Sequence, residues 1–225
     1  MRRIELWVIG FLLFSFLLAP AHADKSTPRS RGKLLLFPQN SHESTIRKNM
    51  VKFSYKLDNG RVVPFCSGVI SGPNEVLSAS HCFESAHIKN YLSGGEKIIV
   101  STGNKVVTAT KIQFQGDPDI ARVTLDAEAD VNSSVPITDQ CDPQSDYFVG
   151  GFGVGPQPLG NKGLPNLATY TKPERQIVIG DKRPFVLKKK DGAACGGDSG
   201  GGTFCFANGR LSLFGVFIQY SAPAL

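Results

Sequence analysis

The chain lacks any apolar run long enough to cross a bilayer. Its longest, "LWVIGFLLFSFLL" from Leu6 to Leu18, falls short of the ~20 residues a spanning helix needs. It also lacks a C-x-x-C pair or any Cys/His spacing suited to zinc, so no metal is expected. Helical periodicity does not alternate with its strand-like runs, which disfavours a βαβ architecture. Methionine is scarce at two residues, whereas 24 glycines and 14 prolines point to many short strands and turns. A hydrophobic content of 41% with 20% charged residues excludes a disordered chain. The formal charge of +6 could suggest a polyanion partner. Yet the one basic run, Lys188 to Lys190, has no interleaved aromatics and no nucleic-acid motif around it. A solvated loop is the simpler reading, and no nucleic acid is expected.

What is present begins with a separate N-terminal segment. A basic start, "MRRIE", precedes the apolar run, and "AHA" ends at Ala23. That order reads as a secretory signal peptide over 1–23, cut after Ala23. It predicts a secreted or periplasmic protein, free of the membrane once cut. Export permits disulfides, and all five cysteines follow Ala23. An odd number leaves at least one unpaired in a monomer, the expected state. "NSS" at 132–134 matches a glycosylation sequon.

Residues 24–49 are polar and irregular apart from "LLLF" and read as an N-terminal or pro-segment. From Met50 come "MVKFSYKL", "RVVPFCSGVIS", "EVLSAS", "EKIIVST", "KVVTATKIQF" and "IARVTL", each bounded by turn signals such as "DNG", "SGPN" and "SGG". After a Pro/Asp-rich connection follow "DYFVGGFGVG", "LATYT", "RQIVIG", "PFVLK", "GTFCF" and "LSLFGVFIQY". The expected architecture is all-β, in two consecutive antiparallel halves covering 50–130 and 131–225. Helix is expected only as one or two turns in "HCFESAHIKN".

Three polar stretches carry the chemistry. His81 stands in "VLSASHC", Asp119 in "DIARVTL" just ahead of an apolar strand, and Ser199 in "CGGDSGG". Taken singly each is weak, since a strand-end histidine or a turn aspartate is common. Together they supply what acyl transfer needs. A serine hydroxyl needs a base within hydrogen-bond reach. Histidine as a residue type, with an ordinary pKa near ~6.5, can take and return a proton. A carboxylate on the far ring nitrogen fixes the tautomer. Gly197, Gly200 and Gly201 would let the backbone approach a developing oxyanion and pack behind the nucleophile.

These motifs, in this order, resemble those of the chymotrypsin/trypsin family of serine proteases, over roughly Met50 to Tyr220. "GFGVG" stands where that family commonly has a Gly-Trp-Gly stretch. The resemblance implies two β-barrels, with His81 and Asp119 on the first and Ser199 on the second. It also implies a disulfide between Cys66 and Cys82 and an oxyanion hole from the N–H groups of Gly197 and Ser199. It requires no cofactor. Cys205 would pair across the second half, with Cys141 the best available partner and Cys195 left over.

The chain departs from that pattern at four places. No Arg/Lys-Ile-Val-Gly-Gly start exists to supply the amino group that family zymogens pair with the aspartate before the nucleophile, here Asp198. Cleavage after Arg31 or Lys33 would be the nearest equivalent. The pocket floor is Ala193, which favours small or apolar side chains over Lys/Arg. The pocket wall reads Ile218-Gln219-Tyr220, and Ile218 offers no hydroxyl to the catalytic aspartate. The sequence ends at Leu225, so the second barrel is expected to be incomplete. The leading expectation is a secreted endopeptidase acting on protein or peptide substrates. The alternative is a non-catalytic binder of polyanions or a protein on the same fold.

Overall fold

Strand β1 (Met50–Lys56) alternates its burial imperfectly, and the irregularity is a bulge in its pairing with β2 (Val62–Gly72) between Phe53 and Ser54. Further register shifts fall between Ile70 and Gly72, and between Ala109 and Lys111. Such bulges bend strands, and bent strands close. The computed structural model, which describes residues 41–115, 119–129, 135–153, 166–176, 185–191 and 196–218, contains a closed six-stranded barrel in the order β1-β2-β3-β6-β5-β4. Its other strands are β3 (Glu75–Ser78), β4 (Ile99–Thr102), β5 (Lys105–Gln115) and β6 (Ile120–Leu125). All neighbouring pairs are antiparallel. The barrel is filled by Val51, Phe53, Ile70, Val76, Phe83, Val100 and Val123 among others.

Strands β7 (Tyr147–Gly151), β8 (Asn166–Gln176), β9 (Phe185–Asp191), β10 (Gly202–Ala207) and β11 (Arg210–Val216) form a second antiparallel sheet in the order β11-β10-β7-β8-β9. Among the described residues it is a five-stranded sheet rather than a closed barrel. The all-β, two-part architecture is therefore as expected, with the second part incomplete. "LATYT" and the start of "RQIVIG", expected as separate strands, run together in β8. The register shifts between Thr171 and Arg175, around Pro173, which cannot donate a ladder hydrogen bond.

Residues 41–49 are helical rather than irregular. Helix α1 (Ser41–Asn49) has Glu43 in its first turn and Arg47 in its last, paired at 2.7 Å. Both charges suit the helix dipole. Ile46 is only 1% exposed and packs with Met50, Val69, Phe204 and Leu213, a cluster drawn from both sheets. His42 meets the rings of Phe148 and Phe206. Two short helices, α2 (His81–Glu84) and α3 (Ala86–Ser93), lie where one or two turns were expected. The Ser85 hydroxyl caps α3 by accepting from the Ile88 N–H. Among the described residues no helix is long and apolar enough to cross a membrane.

Candidate active site

Pairing of β3 with β6 sets Ser78 opposite Ala121, so the residues just past one strand lie beside those just before the other. His81 opens α2, three residues beyond β3; Asp119 immediately precedes β6. Its carboxylate receives two hydrogen bonds from the histidine. Oδ1 accepts from the His81 backbone N–H at 2.9 Å, and Oδ2 lies 2.7 Å from Nδ1. The Ser80 N–H donates to the Asp119 carbonyl at 3.3 Å. A carboxylate accepts only, so this contact places a proton on Nδ1 and, in the neutral ring, leaves Nε2 as an acceptor. The His81 side chain is 42% exposed, whereas Asp119 beneath it is 17% exposed.

Cys82 follows His81 and is bonded to Cys66 on β2. The second disulfide joins Cys141 to Cys205; Cys195 lies outside the described residues. The ligand atoms of Cys66, His81 and Cys82 lie within 4.8 Å of one another. Because the two sulfurs are bonded to each other, no thiolate remains there for a metal. The same disulfide reaches Ser199: Cys82 Sγ is 3.7 Å from the Ser199 carbonyl oxygen. No hydrogen bond joins His81 to Ser199 among the described residues, and catalytic hydrogen bonds often tighten only with substrate bound.

The loop bearing Ser199 is held by hydrogen bonds from Ser67 and by one of its own. Its Gly197 carbonyl accepts from the Ser67 hydroxyl at 2.7 Å. The Asp198 carbonyl accepts from the Gly201 N–H at 2.9 Å, and the Ser199 carbonyl accepts from the Ser67 N–H at 2.9 Å. The N–H groups of Gly197 and Ser199 donate to no protein acceptor among the described residues. Gly197 and Gly200 have φ of +96° and +85°, values that favour glycine. A Cβ on Gly200 would also overlap the Ser67 carbonyl and the Ser78 hydroxyl. Ser199 is 8% exposed and Asp198 3%.

Asp198 has a partner that sequence reading left open. The Gly153 N–H donates to its Oδ1 at 2.6 Å. Gly151 and Gly153 of "GFGVG" make room for this carboxylate, since a Cβ on either would collide with it. Residues 152 and 153 thus face the Ser199 loop directly, and the Phe152 ring is steadied by Lys52 Nζ 5.7 Å from its centroid. Beside the loop is a small cavity of about 220 Å³ lined by Pro64, Phe65, Cys66, Phe152, Gly196 and Gly197. Ile218, expected in the substrate pocket wall, packs partly buried against the barrel core and is not among the residues lining this cavity. Ala193, Gln219, Tyr220 and the 132–134 sequon lie outside the described residues.

A family model described as Trypsin matches residues 39–219. The chain belongs to the trypsin family. Among solved structures it is similar to the Rv3671c protease from M. tuberculosis in its active form, at 16% identity and a TM-score of 0.55. That match covers 81% of this chain and 74% of the other, and at such identity it speaks for the fold alone. Within this trypsin-family domain, Ser67, Phe65 and the 152–153 backbone are the site residues that motif reading missed. Ser67 carried one signal: it is a polar residue inside a strand segment that reads as core, and it is fully buried.

Proposed function

We propose that the chain is an exported serine endopeptidase that hydrolyses peptide bonds through an acyl-enzyme. The observation that carries this reading is the double hold of Asp119 on His81, at 2.9 and 2.7 Å. A carboxylate fixing both the backbone and the ring of one histidine orients a base. In the proposed cycle Ser199 Oγ attacks the scissile carbonyl carbon as its proton passes to His81 Nε2. The oxyanion formed is met by the N–H groups of Gly197 and Ser199. Collapse breaks the C–N bond, and His81 returns the proton to the departing amine. Water, deprotonated by the same nitrogen, then releases the acyl group and regenerates Ser199.

Family membership supports protein substrates. Ala193 supports a small or apolar residue on the acyl side, and the basic-apolar-small order of 1–23 supports export. The test is digestion of a peptide library with product sequencing, run beside Ser199→Ala. New termini after small or apolar residues, absent from the variant, are expected. Cleavage after Lys/Arg would contradict the specificity. A folded, inert chain that binds heparin would favour the binding alternative.

A further inference from the structure

Ser67 touches the nucleophile loop at two places. Its N–H donates to the Ser199 carbonyl at 2.9 Å, and its hydroxyl donates to the Gly197 carbonyl at 2.7 Å. That hydroxyl also accepts from the Phe152 N–H at 2.7 Å. The proton can sit in one place only, because Phe152 N–H is a donor and the Gly197 carbonyl is an acceptor. The Ser67 carbonyl is itself held by the Ser78 hydroxyl at 2.8 Å. Ser67 is fully buried, and its position on β2 is set by antiparallel pairing with Lys52. A side chain on a rigid barrel strand thus joins the end of β7 to the loop that bears Ser199.

The peptide so pinned, between Gly197 and Asp198, lies between the two peptides that carry the N–H groups of Gly197 and Ser199. A pure flip of this peptide turns ψ at Gly197 and φ at Asp198 in opposite senses and leaves its neighbours in place. An unpaired change of either angle swings the two donors relative to each other, and fixing the Gly197 carbonyl opposes that change. Gly197 resists little by itself, since glycine is the residue least confined by its own sterics. At the other end, the Asp198 carbonyl bonded to Gly201 turns the Ser199 N–H away from Gly201, because the peptide is trans.

We propose that Ser67 is a positioning residue: its hydroxyl, bridging Phe152 N–H and the Gly197 carbonyl, holds the oxyanion-binding loop in its working shape. The claim rests on the protease reading above. It adds a specific device to that reading, in which the loop is set by the barrel strand and the end of β7. Ser67 touches neither substrate nor reacting atoms; it acts through the geometry of two backbone donors.

The test is the rate at which a fluorophosphonate labels Ser199 in the full chain, with Ser67→Ala, Ser67→Gly and Ser67→Thr as variants. Removing a single oxyanion donor slows catalysis by ~10²–10³-fold, so loosening both donors without removing either should slow the maximal labelling rate by ~10–100-fold. The apparent affinity for the probe should stay within about threefold in the Ala and Gly variants, because the loss is confined to the transition state. Ser67→Thr, which keeps the hydroxyl, should recover most of the rate. Ser67→Gly leaves space for a water and guards against an Ala variant that does not fold. In parallel, amide hydrogen exchange at Phe152 should accelerate in the Ala and Gly variants and not in Thr. Wild-type labelling rates and unchanged Phe152 exchange in folded Ala and Gly variants would overturn the proposal. If the wild type takes no label, the protease reading fails and the catalytic role of Ser67 fails with it. Phe152 exchange then separates a hydroxyl that holds the loop from one that does not.

Discussion

Asp119 meets His81 at two atoms, and the two contacts do different work. The bond from the His81 N–H to Oδ1 ties the start of α2 to the start of β6; the contact of Nδ1 with Oδ2 sets the ring. An asparagine can keep the first bond while presenting an NH₂ to Nδ1, which favours the tautomer with its proton on Nε2. Asp119→Asn should therefore fold normally and lose about 10⁴-fold in kcat, the scale expected when the tautomer is wrong. Steady-state peptide hydrolysis beside circular dichroism measures both. Retention of kcat within about tenfold would remove Asp119 from the mechanism. These residues were legible because each sits in a short motif whose neighbours are adjacent in sequence. Ser67 was not, because its hydroxyl partner Gly197 is 130 residues away.

At the scale of elements, α1 and the β5–β6 pairing make separate predictions. Helix α1 was illegible because "SHESTIRKN" has a single large apolar residue, and no stripe can be read from one position. Ile46 seats it in a cluster that includes Val69 of β2 and Phe204 of β10, with His42 against the rings of Phe148 and Phe206. Ile46→Ala should destabilise the fold by about 2–4 kcal/mol, measured by urea denaturation. A change below about 0.5 kcal/mol would contradict the seating of α1 through Ile46. The β5–β6 ladder is pinned beside its bulge by Asp126, whose carboxylate accepts from the Thr108 hydroxyl at 2.6 Å and from the Thr108 N–H at 2.9 Å. The Thr108 side-chain bond, then its backbone bond, holds the Asp126 carboxyl below the usual range. Because the folded value is depressed, the stabilisation is present above the unfolded carboxylate pKa of about 3.9 and is lost as pH falls through the lower, folded value. Thr108→Val removes one of the two bonds, so the Asp126 midpoint followed by NMR should move up toward the ordinary value. An unmoved midpoint would contradict the assignment.

Across the molecule, the strands were read with little error because each apolar run is short and closed by Gly, Pro, Asn or Asp. Errors came at Pro173, where a residue that reads as a break lies within β8 at a shift of register, and at Lys188 to Lys190, which read as a loop and lie in β9. The partner of Asp198 could not be read, since it is a backbone N–H on Gly153 with no side chain to announce it. The barrel holds His81 against Asp119, and the loop before β10 carries Ser199, whose carbonyl meets Cys82 Sγ and the Ser67 N–H of the barrel. The central claim of the proposed function is that His81, oriented by Asp119, activates Ser199. Its most direct test is fluorophosphonate labelling of the full chain, expressed with its own N-terminal segment, read by intact mass with Ser199→Ala as control. A stoichiometric adduct, lost in the variant, is the predicted result. A folded chain that takes no adduct would contradict it.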